Sequence, residues 1–119
     1  MLSLDTHVLV FALAGRLTPR EQRLLASDSW SVSDIVLWEL AKLAQLGRVE
    51  IDLDDPEVQD ALRAIQVWPI DLAVARRSTS LDFHGDPADE IIAATSIVHQ
   101  APLVTRDRRI RASKMVPLA

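Results

Sequence analysis

Apolar residues along this chain fall in short runs separated by segments of helical period. Met1 to Leu4 is a short apolar run ending at Asp5, which predicts a buried strand. Thr6 to Ala14 continues as a helix closed by Gly15. Thr18-Pro19-Arg20-Glu21 has the form of a cap followed by proline in the first turn, opening a helix to about Ser27. Residues 29–33, SWSVS, alternate and predict a second strand. Asp34 is expected to cap a helix from Ile35 to Leu46 that Gly47 ends. RVEID, residues 48–52, is a third strand candidate. Asp55-Pro56 opens a helix to about Ile65, and VWPID is extended because Pro69 disfavours helix at Trp68. Leu72 to Leu81 reads as helical and breaks at His84-Gly85. A further helix starts near Asp86; its stretch from Ile91 to Val98 leaves no polar face and should be buried on most sides. APLVT, residues 101–105, is a strand, Asp107 to Ser113 a helical turn or two, and KMVPL, residues 114–118, a final edge strand where Pro117 is tolerable.

Short apolar strands alternating with helices imply right-handed crossovers and a parallel sheet covered on both faces. The expected fold is α/β, a three-layer α/β/α sandwich with a central four- or five-stranded parallel sheet. Its 119 residues fit one domain, residues 1–119, around a single core. Ligands in such folds bind beyond the carboxyl ends of the strands. The residues that matter are therefore those just past a strand end.

Composition narrows the chemistry. The chain has no cysteine, which excludes disulfides, zinc-thiolate sites, iron–sulfur clusters and cysteine nucleophiles. The opening residues lack a basic segment and carry Asp5 inside their apolar run, unlike a signal peptide. No uncharged apolar stretch is long enough to span a bilayer, so a cytoplasmic protein with no membrane partner is expected. The formal charge of −4 argues against a nucleic-acid partner until its distribution is considered. Five of the thirteen basic residues fall between Arg106 and Lys114. Arg16, Arg20 and Arg23 form a second group and Arg76-Arg77 a third. Each group alone is an ordinary solvated face. Together with an acidic total they also suit an enzyme with cations at its centre and phosphates at its rim.

Four acids fall where ligands would bind. Asp5 ends the first strand and Asp107 follows PLVTR; each could simply cap the next helix. Thr105 could orient a carboxylate by hydrogen bonding or merely end its strand. Asp86, Asp89 and Glu90 open the last long helix, where a cap and the helix dipole favour acids, yet a cap needs only one or two. Glu39 is harder to assign to capping. Its helical neighbours Ile35, Val36 and Leu43 are apolar, leaving Lys42 as its one local salt-bridge partner. A lone carboxylate in an apolar stripe costs several kcal/mol unless paired or metal-bound. One cause accounts for Asp5, Glu39, Asp89 and Asp107 together: a hard cation such as Mg²⁺ or Mn²⁺, which carboxylate sets without His or Cys select.

At this point the order and spacing of MLSLDTHVLVFALAG, WSVSDIVLWELAKLAQLGRVEID, HGDPADEIIAATSI and APLVTRD closely resemble the PIN domain. More narrowly, they resemble the VapC ribonuclease toxins of toxin–antitoxin pairs. The resemblance covers essentially the whole chain. It implies a Mg²⁺-dependent ribonuclease in which Asp5, Glu39 and Asp89 are the core acids and Asp107 a fourth, more variable one. It also implies cleavage by water that leaves a 3′-hydroxyl, a homodimer, and a small cognate antitoxin that blocks the site. Arg106, Arg108, Arg109 and Arg111 would hold the RNA backbone. Glu90 departs from the family pattern, where arginine is frequent, and adds negative charge to the rim.

Other readings fit less well. A receiver-like phosphotransfer domain wants an acidic pair after the first strand and a lysine after the last, but the chain has Asp5 alone and Arg106. Haloacid-dehalogenase-type phosphatases need a second aspartate where His7 stands. The three isolated glycines make no phosphate loop, and no serine sits in a nucleophile elbow. His7 is a candidate neighbour of the acids, and His99 reads as a helix-end residue. The non-enzymatic alternative is a catalytically inactive PIN-like module that binds RNA or protein.

Overall fold

The computed structural model describes residues 1–119. Its sheet is built from β1 (Leu2–Leu4), β2 (Trp30–Ser33), β3 (Gln66–Trp68) and β4 (Leu103–Val104). All pairings are parallel, in the order β3-β2-β1-β4, with Ser3 registered against both Ser31 and Leu103. Strands this short suffice because they are buried: β1 throughout, and β2 in all but its first residue. The connecting helices are α1 (Thr6–Leu13), α2 (Pro19–Ala26), α3 (Asp34–Gln45), α4 (Pro56–Arg63), α5 (Leu72–Ser78), α6 (Pro87–His99) and α7 (Arg108–Arg111). The expected α/β/α layering with a four-stranded parallel centre is what forms. No helix is long and apolar enough to cross a membrane.

One core joins the layers. Leu4, Val8, Leu9, Val32, Val36, Ile92, Leu103 and Ile110 are wholly shielded from solvent and belong to one contiguous cluster. Burying a side chain of this size contributes about 1.5–3 kcal/mol. The all-round apolar reading of α6 holds, with Ile92 through Ser96 buried in succession. The chain steps outward from β1 to β2 and β3, then returns to place β4 on the other side of β1. That reversal opens a crevice at the carboxyl ends of β1 and β4, where α/β folds bind ligands.

Two expected strands differ. RVEID makes no ladder, because Gly47 at φ 69° turns the chain and Arg48 N–H bonds back to Leu43, closing α3. Val49, Ile51 and Leu53 still pack on the core, so the alternation marks a buried face of a loop. KMVPL contributes a single parallel bridge, Leu118 to Leu103, at the β4 edge. Two caps differ as well. Ser33 caps α3, while Asp34 lies in its first turn and accepts from Ile70 N–H at 3.2 Å. Asp86 occupies the α6 cap position, but its side chain makes no capping hydrogen bond.

Candidate carboxylate site at the strand ends

No loop separates β1 from α1. Asp5 ends the strand and caps the helix, its Oδ1 accepting from Thr6 N–H at 2.7 Å. Its other oxygen, Oδ2, accepts from the Thr105 hydroxyl at 2.7 Å. Thr105 Oγ1 in turn accepts from Asp107 N–H at 3.0 Å, and Asp107 Oδ1 caps α7 through Arg109 and Ile110 N–H. The orienting role open to Thr105 in the sequence is therefore realised, and it spans the β1–β4 crevice. Asp5 is buried at 7% exposure, yet each of its oxygens accepts only one bond and keeps a lone pair free.

Glu39, half-buried one turn into α3, does not pair with Lys42, whose ammonium donates to Gln45. It accepts instead from the Thr6 hydroxyl at 2.5 Å, which aims it at the β1–α1 junction. Asp89, in the first turn of α6, makes no side-chain hydrogen bond. Burial pushes its carboxyl up to about 6, with further increments from the charges of Asp5, Asp107, Glu39 and Asp86. Asp5, Glu39, Asp107 and Asp86 thus all lie within electrostatic reach of Asp89. They do not close on one point: no three form a ready cage for an ion. The donor set is all carboxylate oxygen, which fits a hard divalent ion in chemistry. Gly85 lets the chain pass close by. A Cβ there would stand 3.4 Å from Asp89 Cβ, 3.5 Å from Arg109 Nη1 and 3.6 Å from Asp89 Oδ2, so the Arg109 guanidinium borders the acids at this edge.

The basic rim is thinner than expected. Arg106 is engaged with Glu21 through bonds of 2.8 and 2.7 Å and lies over the Phe11 ring at 4.0 Å. Arg109 donates to His84 O and Arg111 to Thr105 O, which leaves most of their donors free, and Arg108 is exposed. His84 approaches Glu90 at 4.0 Å. His7 is exposed and bonds to none of the acids; His99 stacks on Trp68 with ring centroids 3.9 Å apart. Sequence reasoning missed Thr6 as the partner of Glu39 and Glu21 as the partner of Arg106. The contacts span 33 and 85 residues, and local pattern reports neither.

An α/β fold with carboxylates gathered at the switch point of its parallel sheet defines the class. The PIN domain family matches residues 2–114, and the chain belongs to that family. Within it, the chain is 34% identical over 118 residues to Ribonuclease VapC22 of Mycobacterium tuberculosis, covering 93% of this chain and 90% of that protein. The fold is similar to a toxin-antitoxin complex from Klebsiella pneumoniae, with a TM-score of 0.74, 22% identity and 94% and 91% of the two chains covered. It is equally similar to VapBC2 from Rickettsia felis bound to a promoter DNA fragment, with a TM-score of 0.74, 18% identity and 99% and 96% coverage. Nucleases of the VapC kind generally depend on a divalent metal.

Proposed function

We propose that this protein is a Mg²⁺-dependent ribonuclease, the toxin of a toxin–antitoxin pair, with Asp5, Glu39, Asp89 and Asp107 as its site. The observation that carries the reading is Asp89: an unbonded carboxylate whose pKa is raised by burial and by the charges of the other three acids and Asp86. Such repulsion is relieved by a cation. Asp5 and Asp89 would be the principal ligands, Glu39 would complete the set or orient the attacking water, and Asp107 would assist a second ion. Mn²⁺ satisfies the same donors. A bound divalent ion supplies positive charge against the scissile phosphate and eases deprotonation of water. Arg108, Arg109 and Arg111 have donors to spare for the RNA backbone, whereas Arg106 has its charge paired with Glu21.

Two surfaces support the partners. A groove of about 710 Å³ runs between α1 and the end of α3, lined by Val10, Phe11, Leu43 and Ile51 among others, with His7 at its edge. Its apolar floor beside the site suits a small antitoxin. Trp38, Ile70 and Leu72 are exposed at 58%, 41% and 73%. The Asp34–Ile70 bond puts Ile70 beside the first turn of α3, and exposed apolar groups of this size suit a homodimer contact.

The test is cleavage of several structured RNAs with Mg²⁺, with chelator, and with Asp5→Asn. Mg²⁺-dependent hydrolysis lost in the variant is the expected result. A folded, metal-indifferent protein that binds RNA or antitoxin without cutting would mark an inactive binding module instead.

A further inference from the structure

Arg106 sits between the two residues that fix one flank of the carboxylate site. Thr105 before it donates to Asp5, and Asp107 after it is bonded to Thr105 and caps α7. Its guanidinium reaches Glu21 on α2, giving Nε and one terminal nitrogen to the two carboxylate oxygens. Glu21 is only 6% exposed and is itself anchored in a capping box with Thr18. The Arg106 pairing holds its carboxyl at about 2, well below the usual range. On the same guanidinium lies the ring of Phe11, from the helix that Asp5 caps. One side chain therefore ties α1, α2 and the β4–α7 turn together. A planar fork bonded at two points fixes direction as well as distance, which a lysine or a lone hydrogen bond would not.

We infer that Glu21 and Arg106 are positioning residues for the metal site, the pair setting the Thr105–Asp107 turn against Asp5 so that the two carboxylates face a common ion. The inference rests on the proposed nuclease reading. It explains why Arg106, set between two residues of the site, gives its guanidinium to Glu21. A merely structural ion pair would add stability and leave the acids' response to metal unchanged.

The variant that separates these is the double substitution Glu21→Gln with Arg106→Gln. It removes one charge of each sign, so the net charge and the long-range attraction for cations are preserved and no charge is left buried alone. Binding of Mn²⁺ alone to the folded protein is read by electron paramagnetic resonance, well below the melting temperature of every variant. Val74→Ala, a buried change on α5 away from the site, controls for general destabilisation. The expected result is a dissociation constant raised about 3–10-fold in the double variant, below the 10–100-fold typical of groups that touch ligands directly, and unchanged in Val74→Ala. Arg106→Lys, which keeps the charge and loses the fork, should weaken binding by a smaller factor; it decides the matter if the double variant does not fold. Unaltered Mn²⁺ affinity in the deciding variant overturns the inference and leaves the nuclease reading standing. A parent protein that binds no Mn²⁺ overturns both.

Discussion

Asp5 and Asp107, on the β1–β4 flank of the crevice, differ from Asp86 and Asp89 on the α6 flank in how their charge is met. The first two are bonded to backbone N–H groups at helix starts, and the Thr105 hydroxyl links them. The second two have no side-chain hydrogen bonds, although both stand at the start of a helix. The held flank would fold the same way with or without an ion. On the loose flank no hydrogen bond meets the carboxylates, and burial with the neighbouring acids raises the Asp89 pKa to about 6. The contrast assigns different tasks: one flank is set in advance, the other has coordination left to give.

The largest expected effect tests whether both flanks are needed. Asp5→Asn and Asp89→Asn should each lower RNA cleavage by more than about 100-fold, since loss of a ligand exceeds loss of a group that only orients one. Cleavage that survives either change would confine the site to the other flank. Thr105→Val comes next. It strands Asp107 N–H and one Asp5 oxygen and should weaken metal binding about 10–100-fold, measured by calorimetric titration. The loose flank has no equivalent hydroxyl, so no comparable variant exists there.

A smaller effect is the pH dependence of stability without metal. The folded pKa of Asp89 lies above its ordinary value of 3.8, so between 3.8 and about 6 the native state keeps a proton that the unfolded chain has released. Stability therefore falls as pH rises through this window and levels off above it. Urea unfolding at several pH values should show that slope in the parent and a flatter one in Asp89→Asn. The smallest effect separates a bonded cap from an unbonded one. Asp107→Ala should cost about 1 kcal/mol, whereas Asp86→Ala should change stability by less than about 0.5 kcal/mol. Equal losses would mean that Asp86 caps α6 in solution.

The fold was legible where burial imposes a period. β1, the apolar α6 and the proline-led starts of α2 and α4 follow from local pattern, because a buried strand and a buried helix leave different spacings. RVEID shows the limit: alternation records which side is buried and says nothing of whether a neighbouring strand stands within hydrogen-bonding reach. The candidate acids were visible by different signals: Asp5 and Asp107 as residues past strand ends, Glu39 as a carboxylate in an apolar stripe, and Asp89 as an acid beyond what a cap needs. Their bonding was not, since Thr105 to Asp5 spans 100 residues and Arg106 to Glu21 spans 85. The basic cluster from Arg106 onward read as one rim, and only tertiary packing divides Arg106, which faces Glu21, from its neighbours.

The central claim is that Asp89 is the carboxylate a divalent ion satisfies. Thermal unfolding of the parent and of Asp89→Asn, with and without millimolar Mg²⁺ above pH 7, tests it most directly. A ligand bound only by the folded state stabilises it by mass action. The account predicts that Mg²⁺ raises the melting temperature of the parent, while Asp89→Asn is at least as stable as the parent without metal and gains little from Mg²⁺. Equal stabilisation of both proteins by Mg²⁺ would contradict it.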